Sequence, residues 1–188
     1  LSNAARAFLL GLVHARFGAA PAGAYTAKFY RKLTRYSATL ALVADTAMLT
    51  LGGKLKQKER LSARLGDVLS ALYMGSAMLK RYEDQGRPAA DEPLLAWAMH
   101  DQIHRIQVAL DGVLRNFPIR PVAWLLRVLV FPLGLREKAP GDRLGHRVAS
   151  AMMTPSDTRA RLAEGIYYGE GPRHPVGQRC RLARLQRI

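Results

Sequence analysis

Apolar residues recur at spacings of three and four along most of the chain, a period typical of amphipathic α-helices. Three long stripes stand out, over residues 25–51, 57–85 and 91–117. Basic residues lie off the first half of the 25–51 stripe and predict a solvated face there. Residues 40–51 are apolar almost all round, so we expect the bundle to cover them on most sides. Gly and Pro residues end the helices and leave short connections.

Shorter helices are predicted on either side of these three. They span residues 3–16, 122–131, 142–153 and 154–166, the last opened by a capping box that starts at Thr154. No useful length of sequence alternates polar and apolar residues as a half-buried strand does. The fold class is therefore all-α, an antiparallel helical bundle with three long helices plus shorter C-terminal helices.

The charge balance narrows the range of partners. The 188 residues hold 29 Lys and Arg against 14 Asp and Glu, a net charge of +15, and the excess lies towards the two ends of the chain. Such an excess indicates an anionic partner. Helix-turn-helix, zinc-finger and RNA-binding strand signatures are all missing, so we expect no nucleic acid. No uninterrupted apolar run approaches the about 20 residues that a membrane-spanning helix needs.

The last twenty residues differ in composition from the rest. Residues 169–188 are rich in Gly and Pro and then in Arg, and we expect a basic, loosely ordered tail after a helical domain over 1–168. The one cysteine, Cys180, lies in this tail and excludes an internal disulfide framework. Because the chain begins at Leu1 and not Met, we expect it to be part of a longer protein.

Asp45 is a carboxylate within an apolar run, ALVADTAM at 41–48. A buried carboxylate must be paired, hydrogen-bonded or protonated. We interpret Asp45 as one half of a buried structural pair with Arg64, which would hold the first two long helices in register. The alternative is a general base, which is less favoured because no nucleophile or second acid lies nearby in the sequence.

Four basic residues crowd the connection between the first two long helices: Lys54, Lys56, Lys58 and Arg60. A solvated basic loop is the commoner meaning of such a cluster. The alternative is contact with a phosphate or with the head groups of an anionic membrane.

His100 and His104 share a helix face, as the two ligands of an H-E-x-x-H zinc motif do. Asp101 stands where the catalytic Glu would be, and no third ligand of matching context follows. We expect no metal site. No glycine-rich phosphate loop or nucleophile elbow is present either, so we predict no catalytic residue and no cofactor-binding residue in this chain.

Several strings, in order over residues 2–168, resemble the C-terminal region of bacterial FadE-type fatty acyl-CoA dehydrogenases. The most distinctive is KERLSARLGDVLS at 58–70. Others are KFYRKLTR at 28–35, LTLGGKLK at 49–56, LDGVL at 110–114, RPVAWLLR at 120–127 and DRLGH at 142–146.

The resemblance implies a parent flavoenzyme that removes hydrogens across the α,β bond of a fatty acyl-CoA in β-oxidation, using FAD. It implies an upstream dehydrogenase core and a homodimer mate as partners, and electron-transfer flavoprotein as the parent's electron acceptor. This chain would be an accessory domain, inactive alone, that serves core packing, oligomerisation or membrane docking. The alternative is a stand-alone peripheral membrane or anionic-lipid binding module. We expect a cytoplasmic location. The alternative is a cytoplasmic protein attached peripherally to the inner membrane.

Overall fold

A computed structural model describes residues 24–166, and within that range it has six α-helices, two short 3₁₀ helices and no strand. The three long helices are α1 (Ala24–Leu51), α2 (Glu59–Asp84) and α3 (Glu92–Arg115). The shorter helices are α4 (Arg120–Val130), α5 (Asp142–Met153) and α6 (Asp157–Ala163). The 3₁₀ helices Gly52–Gln57 and Ala89–Asp91 join the long helices. The all-α expectation is confirmed, whereas the predicted helix over 3–16, the tail over 169–188 and Cys180 lie outside the described residues.

Contacts at the helix ends define the directions of the long helices. Thr26 at the start of α1 donates a 2.6 Å hydrogen bond to Glu83 at the end of α2, so these two helices are antiparallel. The Tyr25 hydroxyl donates to the Glu92 carbonyl oxygen, so α1 and α3 start at the same end. The long helices therefore run up, down and up, as their short connections require.

The core lies between the three long helices and α4. Side chains that are less than 2 % exposed come from all four: Phe29, Tyr36, Val43, Val68, Leu79, Met99, Ile103, Ile106, Leu110, Val113 and Val130. Gly75 marks a close approach, because a Cβ there would lie 3.2 Å from Leu33 and 3.5 Å from Met99. A larger residue at this crossing would require the Leu33 side chain or the helices to shift.

The prediction that residues 40–51 are covered on most sides is wrong. In this half of α1 only Val43 and Ala47 are buried, while Met48 is 61 % and Leu49 86 % exposed. The end of α4 and the segment after it contact instead the first half of α1, whose Arg35 donates to the Val130 carbonyl oxygen and whose Lys32 lies 2.6 Å from Glu137. The basic half of α1 is therefore the better covered half.

By length and composition, one described segment, Tyr25–Gln57, would be able to cross a membrane. Only 22 % of its most apolar stretch is buried, and the segment contains the exposed Asp45 and packs Val43 and Ala47 into the bundle. We therefore treat α1 as a bundle helix with one exposed apolar side.

Contacts divide the described residues into two units, with the boundary inside α5 between Val148 and Ala149. In the second unit, Ser156 and not Thr154 is the N-cap of α6, and its hydroxyl oxygen accepts a hydrogen bond from the Arg159 amide. Ser156 in turn donates to the Ala151 carbonyl oxygen at 2.7 Å.

Candidate functional site

Asp45 and Arg64 do not form the predicted buried pair. Asp45 is exposed, and no ion pair joins it to a described residue. The physical reason is its angle on the helix: two residues from both Val43 and Ala47, it lies about 200° around the helix from that buried stripe. Arg64 of α2 is half-buried, and its side chain lies against α3, where a Cβ at Gly112 would be 2.9 Å from its Nε atom.

Asp111 of α3 is a buried carboxylate of the bundle that sequence reasoning missed. Its Oδ1 atom accepts a 2.8 Å hydrogen bond from Arg127 of α4, and its Oδ2 atom lies 2.7 Å from Nε of Arg115. Asp111 is only 9 % exposed. The i,i+4 spacing of Asp111 and Arg115 was a signal that could have found half of this site. The pair fastens α4 to α3.

A second polar network holds the segment after α4 on the long helices. The side chain of Gln107 in α3 is buried and makes three hydrogen bonds to the backbone of this segment. Its Oε1 atom accepts from the amides of Arg136 and Glu137, and its Nε2 atom donates to the Glu137 carbonyl oxygen. Lys32 of α1 lies 2.6 Å from the Glu137 carboxylate.

The two histidines of the zinc-like motif have structural contacts. Nδ1 of His104 lies 2.9 Å from the Glu137 carbonyl oxygen, and since that oxygen can only accept, Nδ1 carries the proton. The His100 ring packs edge-on against Phe29, and burial with nearby Lys32 and Lys28 lowers the pKa of His100. Within residues 24–166 no group of three His, Cys, Asp or Glu side chains could hold a metal ion.

The predicted basic cluster is exposed. Lys54, Lys56, Lys58 and Arg60 lie in and after the first 3₁₀ helix, and none of them pairs with a described acidic residue. Because Arg64 touches Gly112, the start of α2 lies beside the end of α3. The cluster therefore shares one end of the bundle with Arg115, and Arg120 joins it by donating to the Arg115 carbonyl oxygen.

Two surfaces of the described part expose large apolar side chains. The first, which we call the α1–α2 groove, is an open groove of about 520 Å³ between those helices, bordered by Leu69, Leu72 and Tyr73 of α2 and by Leu40 and Ala41 of α1. Leu69 and Tyr73 are strongly exposed there. The second, the α4 face, presents Trp124, Leu125 and Val128 to solvent while Ala123, Leu126 and Val130 face the core. Exposed apolar patches of this kind mark interaction surfaces.

A larger cleft of about 790 Å³ runs between α2 and α3 but does not fit a flavin. Its lining has no Phe, Tyr or Trp to stack on an isoalloxazine ring and no glycine-rich turn to cradle phosphates. It does contain Asp67, Ser70 and His104, but no hydrogen bond joins these three side chains, and His104 is bonded to the Glu137 backbone. The described residues thus offer docking surfaces and structural ion pairs.

Comparison with known proteins identifies the family of the chain. The family described as acyl-CoA dehydrogenase, C-terminal, bacterial type matches residues 1–185, nearly the whole chain. No solved structure matches it. The match covers the basic cluster, both apolar surfaces and the Asp111 site, and the chain belongs to the family of bacterial-type acyl-CoA dehydrogenase C-terminal domains.

Proposed function

We propose that this accessory domain packs on the core of a FAD-dependent fatty acyl-CoA dehydrogenase through the α1–α2 groove and has no catalytic residue of its own. The parent enzyme would oxidise acyl-CoA in β-oxidation and pass electrons to electron-transfer flavoprotein. FAD supplies hydride acceptance in that chemistry, and we assign its binding to the core because the α2–α3 cleft does not fit it.

The observation behind this proposal is the apolar surface beside α1. Leu69 and Tyr73 are 61 % and 72 % exposed, one turn apart on α2. On α1, Met48 lies seven residues after Ala41, so both share one side of the helix. The exposed strip thus extends from the groove towards the end of α1. A domain that always accompanies a core would cover such a surface in the assembled enzyme or its dimer.

Binding between separately purified core and this 188-residue chain tests the proposal. We expect Leu69→Glu to weaken the measured affinity at least about tenfold, since a carboxylate would be desolvated in the contact. Val108→Glu, an equally drastic change on the exposed side of α3, is the matched control and should leave the affinity unchanged. Equal affinities for both variants would contradict the groove as the contact. Flavin absorbance should accompany the core and not this chain.

A second candidate function, docking on an anionic membrane, is supported by a different surface. No Asp or Glu occurs between Asp111 and Glu137, a stretch with four Arg residues. Within it, the α4 face exposes Trp124 at 63 % beside Leu125 and Val128. Trp with aliphatic residues and flanking Arg is typical of helices that lie in a membrane interface. The basic cluster at 54–60 would add attraction to anionic lipid. The parent enzyme would then be cytoplasmic and peripheral on the inner membrane.

Co-sedimentation with vesicles distinguishes this role. We expect binding to vesicles with anionic lipid, loss of binding at high salt, and no binding to neutral vesicles. Trp124→Glu should abolish binding, whereas Tyr73→Glu, which alters the α1–α2 groove, should retain it. Binding that is equally strong for both variants would place the membrane contact elsewhere. Vesicle binding by a chain that has no affinity for the core would favour the stand-alone lipid-binding module.

A further inference from the structure

A small, partly open cavity lies beside the segment that follows α4. It is lined by Arg35 and Tyr36 of α1, Gln107 of α3 and four residues of that segment, and its volume is about 10 Å³. The four are Leu133, Gly134, Arg136 and Glu137. That volume is about enough for one water molecule. About half of the lining surface is polar, whereas dry cavities in proteins are lined by apolar side chains.

Arg35 supplies an unused donor beside this cavity. The residue is 7 % exposed, and its Nη2 atom donates a 3.0 Å hydrogen bond to the Val130 carbonyl oxygen. Its Nε atom is buried and has no hydrogen-bond partner among the described residues. A buried guanidinium N–H without an acceptor costs about 1–3 kcal/mol or more, so a native structure is expected to supply one.

We propose that the cavity is a binding site for one internal water molecule, which accepts the hydrogen bond of Arg35 Nε–H. The water would donate its own protons to acceptors of the lining, among which are the carboxylate of Glu137 and the phenol oxygen of Tyr36. Its partners then number three, the usual count for a buried water.

The consequence concerns the segment after α4. Gln107 and Lys32 already fasten Glu137 to α3 and α1, and Arg35 fastens the end of α4. The water joins these two attachments into one network through Arg35. Burial and the neighbouring Glu137 charge raise the pKa of Tyr36, so its phenol stays protonated and contributes a donor to the same network.

Nuclear magnetic resonance of the wild-type 188-residue chain tests the site without a variant. In a rotating-frame Overhauser experiment, we expect a cross peak between the Arg35 Hε proton and water. A bound water gives a dipolar cross peak of this kind, whose sign is opposite to that of the diagonal. Proton exchange with solvent gives the same sign. The matched control is Arg31, one turn earlier, whose Nε already donates to the Ala27 carbonyl oxygen at 3.2 Å. Its Hε should lack the dipolar peak.

A crystal structure of the chain, or of the whole enzyme, gives the second measurement. Electron density for one water within about 3.2 Å of Arg35 Nε would support the site. A protein oxygen bonded directly to Nε would overturn it, as would the absence of a dipolar cross peak at Arg35.

Discussion

The burial of the two halves of α1 is the reverse of what their composition suggests. The first half, over residues 24–39, has four basic residues, yet Phe29, Leu33, Arg35, Tyr36 and Thr39 are buried there. The second half is almost free of charge, yet it exposes Met48 and Leu49. The difference arises because the end of α4 and the following segment pack against the first half. The pattern of apolar residues therefore identifies the helix. Which half of it is covered depends on where segments distant in sequence pack.

The same difference separates two aspartates in apolar runs. Asp45 lies about 200° from the buried stripe of α1, whereas Asp111 lies about 60° from buried Leu114 on α3. Asp111 also meets Arg127 from the neighbouring α4. An acid among apolar residues is buried only where both its angle and a partner allow it.

The largest effect should come from truncating a covered aromatic side chain in the first half of α1. Phe29 is 1 % exposed, so Phe29→Ala should lower the free energy of unfolding by about 4 kcal/mol through lost contacts and a cavity. Leu49→Ala on the same helix should change it by less than about 0.5 kcal/mol. Urea denaturation of the two variants measures both. Similar losses would mean that the end of α1 is covered after all.

Replacing the two aspartates should give the next largest difference in the free energy of unfolding. Asp111→Ala removes hydrogen bonds to two guanidinium groups and should cost about 2 kcal/mol, the range for bonds to charged groups. Asp45→Ala should stay within about 0.5 kcal/mol. The same denaturation experiment applies. A loss at Asp45 as large as that at Asp111 would restore the buried pair with Arg64.

Sequence patterns predicted the helices closely because their information is local. The predicted spans 25–51 and 142–153 agree with the observed Ala24–Leu51 and Asp142–Met153. Apolar spacing, Gly and Pro act within a few residues of each helix end. The basic cluster at 54–60 is exposed, which fits both interpretations, a solvated loop and contact with an anion.

The polar networks were not predictable, because their partners are far apart in the chain. Arg35 reaches Val130 across 95 positions, and Lys32 reaches Glu137 across 105. No local pattern pairs a helical Lys or Arg with a loop so distant. Asp45 attracted attention through its apolar neighbours, whereas the inter-helix partner of Asp111, Arg127, lies 16 positions away in another helix. The candidate docking surfaces also depend on which helix faces remain uncovered. The apolar pattern of the sequence does not determine this.

Removing the hydrogen bonds of Gln107 tests how much stability the segment after α4 contributes by covering the first half of α1. Gln107→Met keeps the size of the side chain but removes three hydrogen bonds, and it should cost about 1–2 kcal/mol. Hydrogen exchange should accelerate at residues 133–137 and change little around Met48. Gln102→Met, on the same helix, is the control. Unchanged exchange at 133–137 would show that other contacts hold the segment.

The smallest effect is a change with pH at the start of α1. The hydrogen bond from Thr26, helped by the Arg87 guanidinium, lowers the pKa of Glu83 below its ordinary value of 4.5. Because the unfolded chain binds the proton more readily, this stabilisation is complete above the ordinary value and is lost as the pH falls through the lowered one. Thr26→Val should therefore reduce the stability near neutral pH and flatten its decline on acidification, in unfolding experiments between about pH 7 and pH 3. Thr50→Val, the same change in the exposed half of α1, should leave the pH profile as it is. A profile altered equally by both would show that the two halves do not differ in their polar contacts.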